Sequence, residues 1–150
     1  MSTFIGNLDT RVYEPGEFVL LERFGYRTHI GSLFWRNGYG PKYRLVMVPV
    51  GFITDFASIP RLLHWLISPN GLSREAAVIH DYLYCTQTTT RADADAIFLE
   101  ALATSGVGWA QRHAMYAAVR AGGWIYWNKR SKNRANQDYD FVPESYWDEE

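Results

Sequence analysis

One short segment of the chain places a histidine directly before an aspartate within an apolar run. Residues 76–84 read AAVIHDYLY, with His80 and Asp81 near the centre. Histidine changes charge near neutral pH and can take a proton from water. Aspartate can hold a histidine in position or bind a hard cation such as calcium. These residue types indicate base-catalysed or metal-assisted hydrolysis at this segment.

Two predicted helices must position these residues. Ser73 is a good N-cap for a helix that runs to about Gln87. Thr90 begins a Thr-x-x-Asp variant of the capping box, which predicts a second helix over about residues 91–104. Because the connection between them is short, the two helices are predicted to be antiparallel neighbours.

Helical periodicity turns one polar residue of each helix inward. His80 shares a face with small and apolar residues, and Asp95 lies in an apolar stripe with Phe98 and Leu102. A buried carboxylate is costly unless it is paired, which predicts a hydrogen bond between Asp95 and His80. If the pair is catalytic, Asp95 orients His80 and the second imidazole nitrogen acts as a general base. In the alternative, the pair only holds the two helices together.

The same residues carry a resemblance to a known family. The pattern His80-Asp81-x-x-Tyr84, followed by Asp95-x-x-Phe98, resembles the helical pair of secreted phospholipases of the A-two type, most closely the compact form in parvovirus capsid proteins. The resemblance implies that His80 activates water, that Asp81 binds calcium and that Asp95 orients the histidine. It also implies a phospholipid substrate, while the residues themselves are equally compatible with an ester of the cell envelope or of a nucleotide.

Two long motifs resemble a second family. The chain reads VPVGFITDFASIPR at residues 48–61 and AAVIHDYLY at residues 76–84, with Arg91-x-x-Ala-Asp95 downstream. In this order and at this spacing, the motifs resemble the phage and prophage family known as domain of unknown function 1353. The resemblance implies a bacteriophage protein located in the host cytoplasm or the virion, and it supplies no activity.

The loop within the first of these motifs carries further candidate residues. Asp55 is a candidate second metal ligand, with pairing to Arg61 as the alternative. Ser58 is a candidate substrate contact, with helix capping as the alternative. Arg91 and Arg120 can clamp an anionic group, with solvated helix positions as the alternative. The candidate substrate-binding residues are Tyr84, Ser58, Arg61 and Arg91.

Composition limits the class of protein. The chain has 150 residues, 47% of them apolar and 16% aromatic, which is consistent with one folded domain. A net charge of −1 argues against nucleic-acid binding through a general basic surface. A single cysteine, Cys85, excludes an internal disulfide and a cysteine-based zinc site. No stretch has the roughly 20 apolar residues of a membrane span, so no transmembrane segment is expected.

The predicted fold class is α+β. Runs of strand-forming residues at 17–24 and 42–49 predict antiparallel strands in the first part of the chain. A short helix over residues 61–67 precedes the helical pair. A third helix spans about residues 108–121 and is predicted to stop at the glycine pair 122–123.

These elements divide the chain into a domain and a tail. Residues 1–123 are predicted to form a single α+β domain. Residues 124–150 carry many aromatic side chains, so this tail is expected to pack on the domain or on a phage structural partner.

Three functions are compatible with the candidate residues. The first is a hydrolase that depends on a divalent metal, with calcium as the first expectation, and acts on an ester substrate. The second is a non-catalytic structural or accessory protein of a virion, in which His80 and Asp95 form a polar core network. The third is a host-directed accessory protein that binds a small ligand without turnover.

Overall fold

A computed structural model describes residues 2–30, 43–54, 71–132 and 141–149. Antiparallel strands in two sheets are followed by three helices, so the predicted α+β class is confirmed. The strands are β1 (Thr3–Ile5), β2 (Thr10–Glu14), β3 (Glu17–Leu20), β4 (Phe24–Thr28), β5 (Arg44–Val48) and β6 (Ile53–Thr54). The helices are α1 (Arg74–Thr86), α2 (Arg91–Thr104) and α3 (Trp109–Lys132), and a short 3-10 helix spans Glu144–Glu149. The predicted short helix at 61–67 lies outside the described residues.

The six strands form two antiparallel sheets of three. One sheet has the order β1-β4-β5 and the other the order β2-β3-β6. The strand predicted at residues 42–49 is confirmed as β5. The single strand predicted at residues 17–24 is wrong, because the chain bends after Leu20 and begins a new strand at Phe24 in the other sheet. This bend lets one run of apolar residues contribute to both sheets.

The hydrophobic core lies between the β1-β4-β5 sheet and the helices. Phe24 and Tyr26 are fully buried and pair in register with Val48 and Val46 of β5. Tyr26 also reaches the end of α2, where its hydroxyl lies 3.0 Å from Oγ1 of Thr104. Burial of each large apolar side chain contributes about 1.5–3 kcal/mol, so these contacts fix α2 against the sheet.

The third helix is longer than the sequence predicts. The predicted stop at the glycine pair 122–123 is wrong, because α3 continues through both residues to Lys132. A glycine inside a helix costs about 1 kcal/mol relative to alanine, so its presence calls for a packing reason. Gly123 supplies one: it is buried, and a Cβ atom there would overlap the hydroxyl of Tyr84. The first residues of the predicted tail are therefore helical.

The last described residues pack against the strands. Phe141 forms an isolated β-bridge with Phe52, and the N–H of Val142 donates to the carbonyl of Gly51 at 3.0 Å. In the 3-10 helix, the ring of Tyr146 lies 5.7 Å from the ring of Tyr13. In the parts of the chain that the structure describes, no helix is both long and apolar enough to cross a membrane.

Candidate functional site

The ends of α1 and α2 are set by local hydrogen bonds. α1 stops where Gln87 adopts a left-handed conformation (φ 49°) and its N–H donates to the carbonyl of Leu83. α2 starts at Thr90, whose side-chain oxygen accepts from the N–H of Asp93 at 3.1 Å. The predicted N-cap of α2 at Thr90 is therefore confirmed. Ser73 precedes α1 as predicted, but its side chain makes no capping hydrogen bond, so this part of the prediction is wrong. With these ends in place, α1 and α2 pack against each other with His80 in their interface.

The carboxylate of Asp95 is the centre of the site. It is fully buried, and each of its oxygens accepts two hydrogen bonds. Oδ1 accepts from Nε2 of His80 at 2.8 Å and from the hydroxyl of Tyr84 at 2.6 Å. Oδ2 accepts from Arg120 at 2.7 Å and from Arg91 at 3.3 Å. The contact predicted between His80 and Asp95 is thus present, and two arginine side chains bind the other oxygen of the same carboxylate.

The hydrogen bonds decide the ionisation of this carboxylate. Burial is the largest single influence and opposes the charged form of Asp95, but the hydrogen bonds from His80, Tyr84 and Arg120 and the electrostatic attraction of His80 together lower the pKa of Asp95. The pKa of Tyr84 is raised, first by its burial and second by its hydrogen bond to this carboxylate. The pKa of Arg120 is also raised, mainly by its hydrogen bond to Asp95. At neutral pH the carboxylate is therefore charged and the tyrosine is a donor.

The state of Asp95 fixes the proton on His80. A charged carboxylate only accepts hydrogen bonds, so Nε2 of His80 must carry the hydrogen. In the neutral ring, Nδ1 then carries the lone pair. The one side-chain hydrogen bond of His80 within the described part of the chain is the bond at Nε2. The ring is held by Tyr84 and Phe98, whose ring centres lie 4.2 and 4.7 Å away. This arrangement leaves a basic nitrogen of fixed orientation.

Asp81 lies next to His80 in sequence but makes a different contact. It is buried, and its Oδ2 accepts a hydrogen bond of 2.6 Å from the hydroxyl of Thr54. This bond ties α1 to the end of β6. Within the described ranges, no three His, Cys, Asp or Glu side chains are grouped as a metal site would require. Calcium takes six to eight oxygen ligands, so Asp81 and Thr54 alone do not form a calcium site.

The structure brings together some of the predicted site residues. His80, Tyr84, Arg91 and Asp95 meet in one cluster, with Arg91 also donating to the carbonyls of residues 119 and 120. The hydroxyl of Tyr84 and one amino group of Arg91 are engaged by Asp95, and their predicted contact with substrate stays a prediction. The predicted residues outside the described ranges are Asp55, Ser58 and Arg61.

Sequence reasoning missed two parts of the site. Arg120 is predicted to clamp an anionic group or to lie in solvent, and the anionic group that it binds is the carboxylate of Asp95, which the sequence does not identify. Gly123 was expected to end a helix, and it instead makes room for Tyr84. A glycine within an otherwise continuous helical pattern was the available signal for the second. The sequence carried no comparable signal for the first.

A further contact fastens α3 to this cluster. The ring of Trp127 lies 5.2 Å from the ring of Tyr84, nearly perpendicular to it. One residue past the end of α1, the side chain of Gln87 donates to the carbonyl of Trp127 at 2.8 Å. Together with Gly123, these contacts fix the distance between α3 and the tyrosine that serves Asp95.

Fold and site together define an α+β protein built around a buried histidine–aspartate pair on adjacent helices. The family described as "Protein of unknown function (DUF1353)" matches residues 36–119, which is more than half of the chain, and the chain belongs to this family. The matched region includes His80, Asp81 and Asp95. No curated protein and no solved structure matches the chain.

Proposed function

We propose that this protein is a hydrolase in which His80 activates a water molecule against an ester of a lipid or cell-envelope substrate. The observation that carries the proposal is the state of the histidine. Nε2 of His80 is hydrogen-bonded to the charged Asp95, so in the neutral ring the proton lies on Nε2 and Nδ1 carries the lone pair. We also propose a bacteriophage origin, in the host cytoplasm or the virion, on the resemblance of the motifs alone.

The proposed reaction uses the histidine as a base and then as an acid. Nδ1 of His80 takes a proton from water as the water oxygen attacks the ester carbonyl carbon. The imidazolium that forms donates from Nε2 to Asp95, whose negative charge stabilises it. When the carbon–oxygen bond of the ester breaks, Nδ1 returns the proton to the leaving alkoxide. General acid–base catalysis of this kind typically contributes about 10²- to 10⁴-fold.

The arginines have a separate part in this proposal. Asp95 must stay charged while it is fully buried, and a buried charge needs compensation. Arg120 and Arg91 provide it at Oδ2, so that Oδ1 remains available for His80 and Tyr84. The two arginines therefore support the orientation of the histidine rather than reacting themselves.

A divalent metal is a separate part of the proposal. The phospholipase resemblance implies calcium, which would polarise the carbonyl oxygen of the ester. The proposed ligands are Asp81 and Asp55. Asp81 and Thr54 supply too few oxygens for calcium, and Asp55 lies outside the described residues. The water activation described above therefore does not depend on the metal.

One experiment tests the proposed base without knowledge of the substrate. Diethyl pyrocarbonate modifies imidazole nitrogens that carry an accessible lone pair, and mass spectrometry identifies the modified residue. We expect His80 to react in the folded protein, with the solvent-exposed His29 as the positive control. ¹⁵N NMR of the ring should show the Nε2–H form, which changes in Asp95→Asn. An unmodified His80 alongside a modified His29 overturns the proposal.

A second experiment measures turnover. Wild type and His80→Gln are compared on p-nitrophenyl butyrate and on phosphatidylcholine–phosphatidylglycerol vesicles, with calcium and with a chelator. We expect the variant to lose at least about 100-fold in rate at unchanged substrate affinity, in keeping with loss of a general base. His29→Gln should keep full activity. Equal rates for wild type and His80→Gln on every substrate hydrolysed would contradict the proposal.

A non-catalytic role is the second candidate, and one observation favours it. The residue His80 is only 3% exposed, and all four hydrogen bonds at Asp95 are internal. Two surface clefts are lined by described residues, and His80 lines neither of them. A structural or accessory protein of a virion would need this network only for stability. Under this alternative, diethyl pyrocarbonate leaves His80 intact and His80→Gln changes only the free energy of unfolding.

A further inference from the structure

The second half of α3 carries three consecutive large side chains in solvent. Trp124 is 52% exposed, Ile125 is 56% exposed and Tyr126 is 45% exposed. Consecutive residues of a helix point about 100° apart, so three in a row cover about 200° of its circumference. This exposed aromatic segment (residues 124–126) is therefore a continuous patch that folding leaves uncovered, unlike a single exposed apolar residue, which is ordinary.

The helix that bears this segment is positively charged. The sequence of α3 contains five Lys and Arg residues and no Asp or Glu, in a chain whose net charge is −1. Lys129 is exposed and follows Ile125 by one helical turn, so the two lie on the same face. Cations near the end of a helix also interact favourably with its dipole. The dipole does not account for the exposed rings beside them.

We propose that the exposed aromatic segment docks on the surface of an anionic lipid bilayer. Trp and Tyr rings favour the depth of the lipid headgroups, where the ring is apolar and its N–H or O–H still meets water. Ile125 enters the boundary of the acyl chains, and Lys129 pairs with anionic headgroups. The helix lies on the surface, because no helix among the described residues can cross a bilayer.

The composition of the segment favours a bilayer over a nucleic acid. Bases would stack on Trp124 and Tyr126 and phosphates would attract Lys129, as in single-strand binding. Neither contact uses Ile125, which is the most exposed of the three side chains. A nucleic acid offers nothing to an aliphatic side chain between two aromatic ones, whereas the apolar boundary of a bilayer accommodates it.

The segment is held next to the Asp95 cluster. The residue that follows it, Trp127, packs on Tyr84, and Tyr84 donates to Asp95. Gly123 and Trp127 face the cluster, so Ile125, about 200° round the helix, lies on the opposite side of α3, and a bilayer bound by this segment would contact that outer face. Docking does not depend on the proposed hydrolysis, because a chain that hydrolyses nothing can still bind vesicles.

Vesicle co-sedimentation tests the proposal on the full chain. We expect binding to vesicles of equal phosphatidylcholine and phosphatidylglycerol, weaker binding at high salt, and little binding to phosphatidylcholine alone. Ile125→Ser and Lys129→Gln should each weaken binding on the order of fivefold. The matched control is Trp109→Ser. This tryptophan is 67% exposed but lies at the other end of α3, about 22 Å away along the helix, and its loss should leave binding unchanged.

Each other outcome overturns the proposal. If the protein stays in the supernatant with anionic vesicles, the segment does not bind a bilayer. If Ile125→Ser binds as well as wild type, Ile125 does not enter the bilayer. Equal binding to neutral vesicles would contradict the role of charge. If sedimentation velocity shows a dimer that Ile125→Ser dissociates, and no vesicle binding, the segment joins two copies of the chain. If a fluorescent oligonucleotide binds in place of vesicles, the partner is a nucleic acid. Melting curves of Ile125→Ser and Lys129→Gln are recorded as a control that both variants are folded.

Discussion

Tyr84 and Gly123 are in direct contact across the interface of α1 and α3. A Cβ atom added at Gly123 would overlap the hydroxyl of Tyr84, and that hydroxyl donates to Oδ1 of Asp95 at 2.6 Å. Any side chain at residue 123 would therefore move the tyrosine away from the carboxylate. The glycine at position 123 of α3 therefore allows Tyr84 of α1 to reach Asp95.

The first prediction concerns this contact. Gly123→Ala should lower the free energy of unfolding by about 1 kcal/mol, and by no more than about 2 kcal/mol, measured by urea denaturation. Overpacking typically costs about 1–3 kcal/mol, and alanine returns about 1 kcal/mol of helix propensity. The same variant should shift the ¹⁵N resonances of the His80 ring, because Asp95 loses one of the two donors at Oδ1.

The control for this prediction is a double-mutant cycle with Tyr84→Phe. The hydroxyl of Tyr84 is the atom nearest to a Cβ added at residue 123, and Tyr84→Phe removes it. Gly123→Ala should therefore cost less in the Tyr84→Phe background than in wild type. Equal costs in both backgrounds would show that the glycine does not act through the tyrosine.

The second prediction concerns the charge of Asp95. Asp95→Asn should lower the free energy of unfolding by about 3 kcal/mol, because the amide has a single acceptor oxygen and no charge for the four donors that the carboxylate binds. Chemical denaturation measures this loss. Asp93→Asn is the matched control on the same helix. Asp93 is only partly buried and serves α2 through its backbone N–H, so its change should stay within about 0.5 kcal/mol.

The third prediction follows from the lowered pKa of Asp95. The pKa in the folded state lies below that of the unfolded chain, so the carboxylate contributes stability above the unfolded value, near 3.9. This contribution is lost as the pH falls through the folded value. The free energy of unfolding of wild type should therefore decrease below about pH 4 more steeply than that of Asp95→Asn. Denaturation curves between pH 3 and pH 6 measure both slopes, and parallel slopes would contradict the assignment.

The polar centre of the helical pair follows from local signals in the sequence. Thr90 and Asp93 set the start of α2, and the start of a helix determines which of its residues face inward. Periodicity then turns Asp95 toward α1, and the same reasoning turns His80 toward α2. Their hydrogen bond can be predicted because the cost of an unpaired buried carboxylate requires a partner.

Other parts of the site depend on contacts between residues that are distant in sequence. Gly123 has the sequence context of a helix end, and no local pattern reveals that Tyr84 fills the space beside it. Arg120 reaches Asp95 from another helix, at a separation of 25 residues. Periodicity gives the inward face of each helix but not the angle and offset at which α3 crosses α2. The second half of the site is therefore a product of helix packing.

The last prediction tests the metal that the phospholipase resemblance implies. If Asp81 binds calcium together with Asp55, calcium at about 100 times its Kd should stabilise the folded protein by about 2.7 kcal/mol, because the ligand binds only the folded state. For a chain of this size the expected rise in Tm is on the order of 5–10 °C. Asp81→Asn keeps the shape of the side chain and removes its charge, so this variant should show no calcium-dependent rise.

The control and the contrary outcome separate the metal from the base. Asp93→Asn should show the same rise in Tm with calcium as wild type, because Asp93 serves α2 through its backbone N–H. Each variant is compared with its own Tm in chelator, since the hydrogen bond between Thr54 and Asp81 makes Asp81→Asn less stable from the start. If calcium, magnesium, manganese and zinc all leave the wild-type Tm unchanged, the proposed metal site at Asp81 is wrong. The base is then judged by the reactivity of His80 alone, because its orientation comes from Asp95 and not from Asp81.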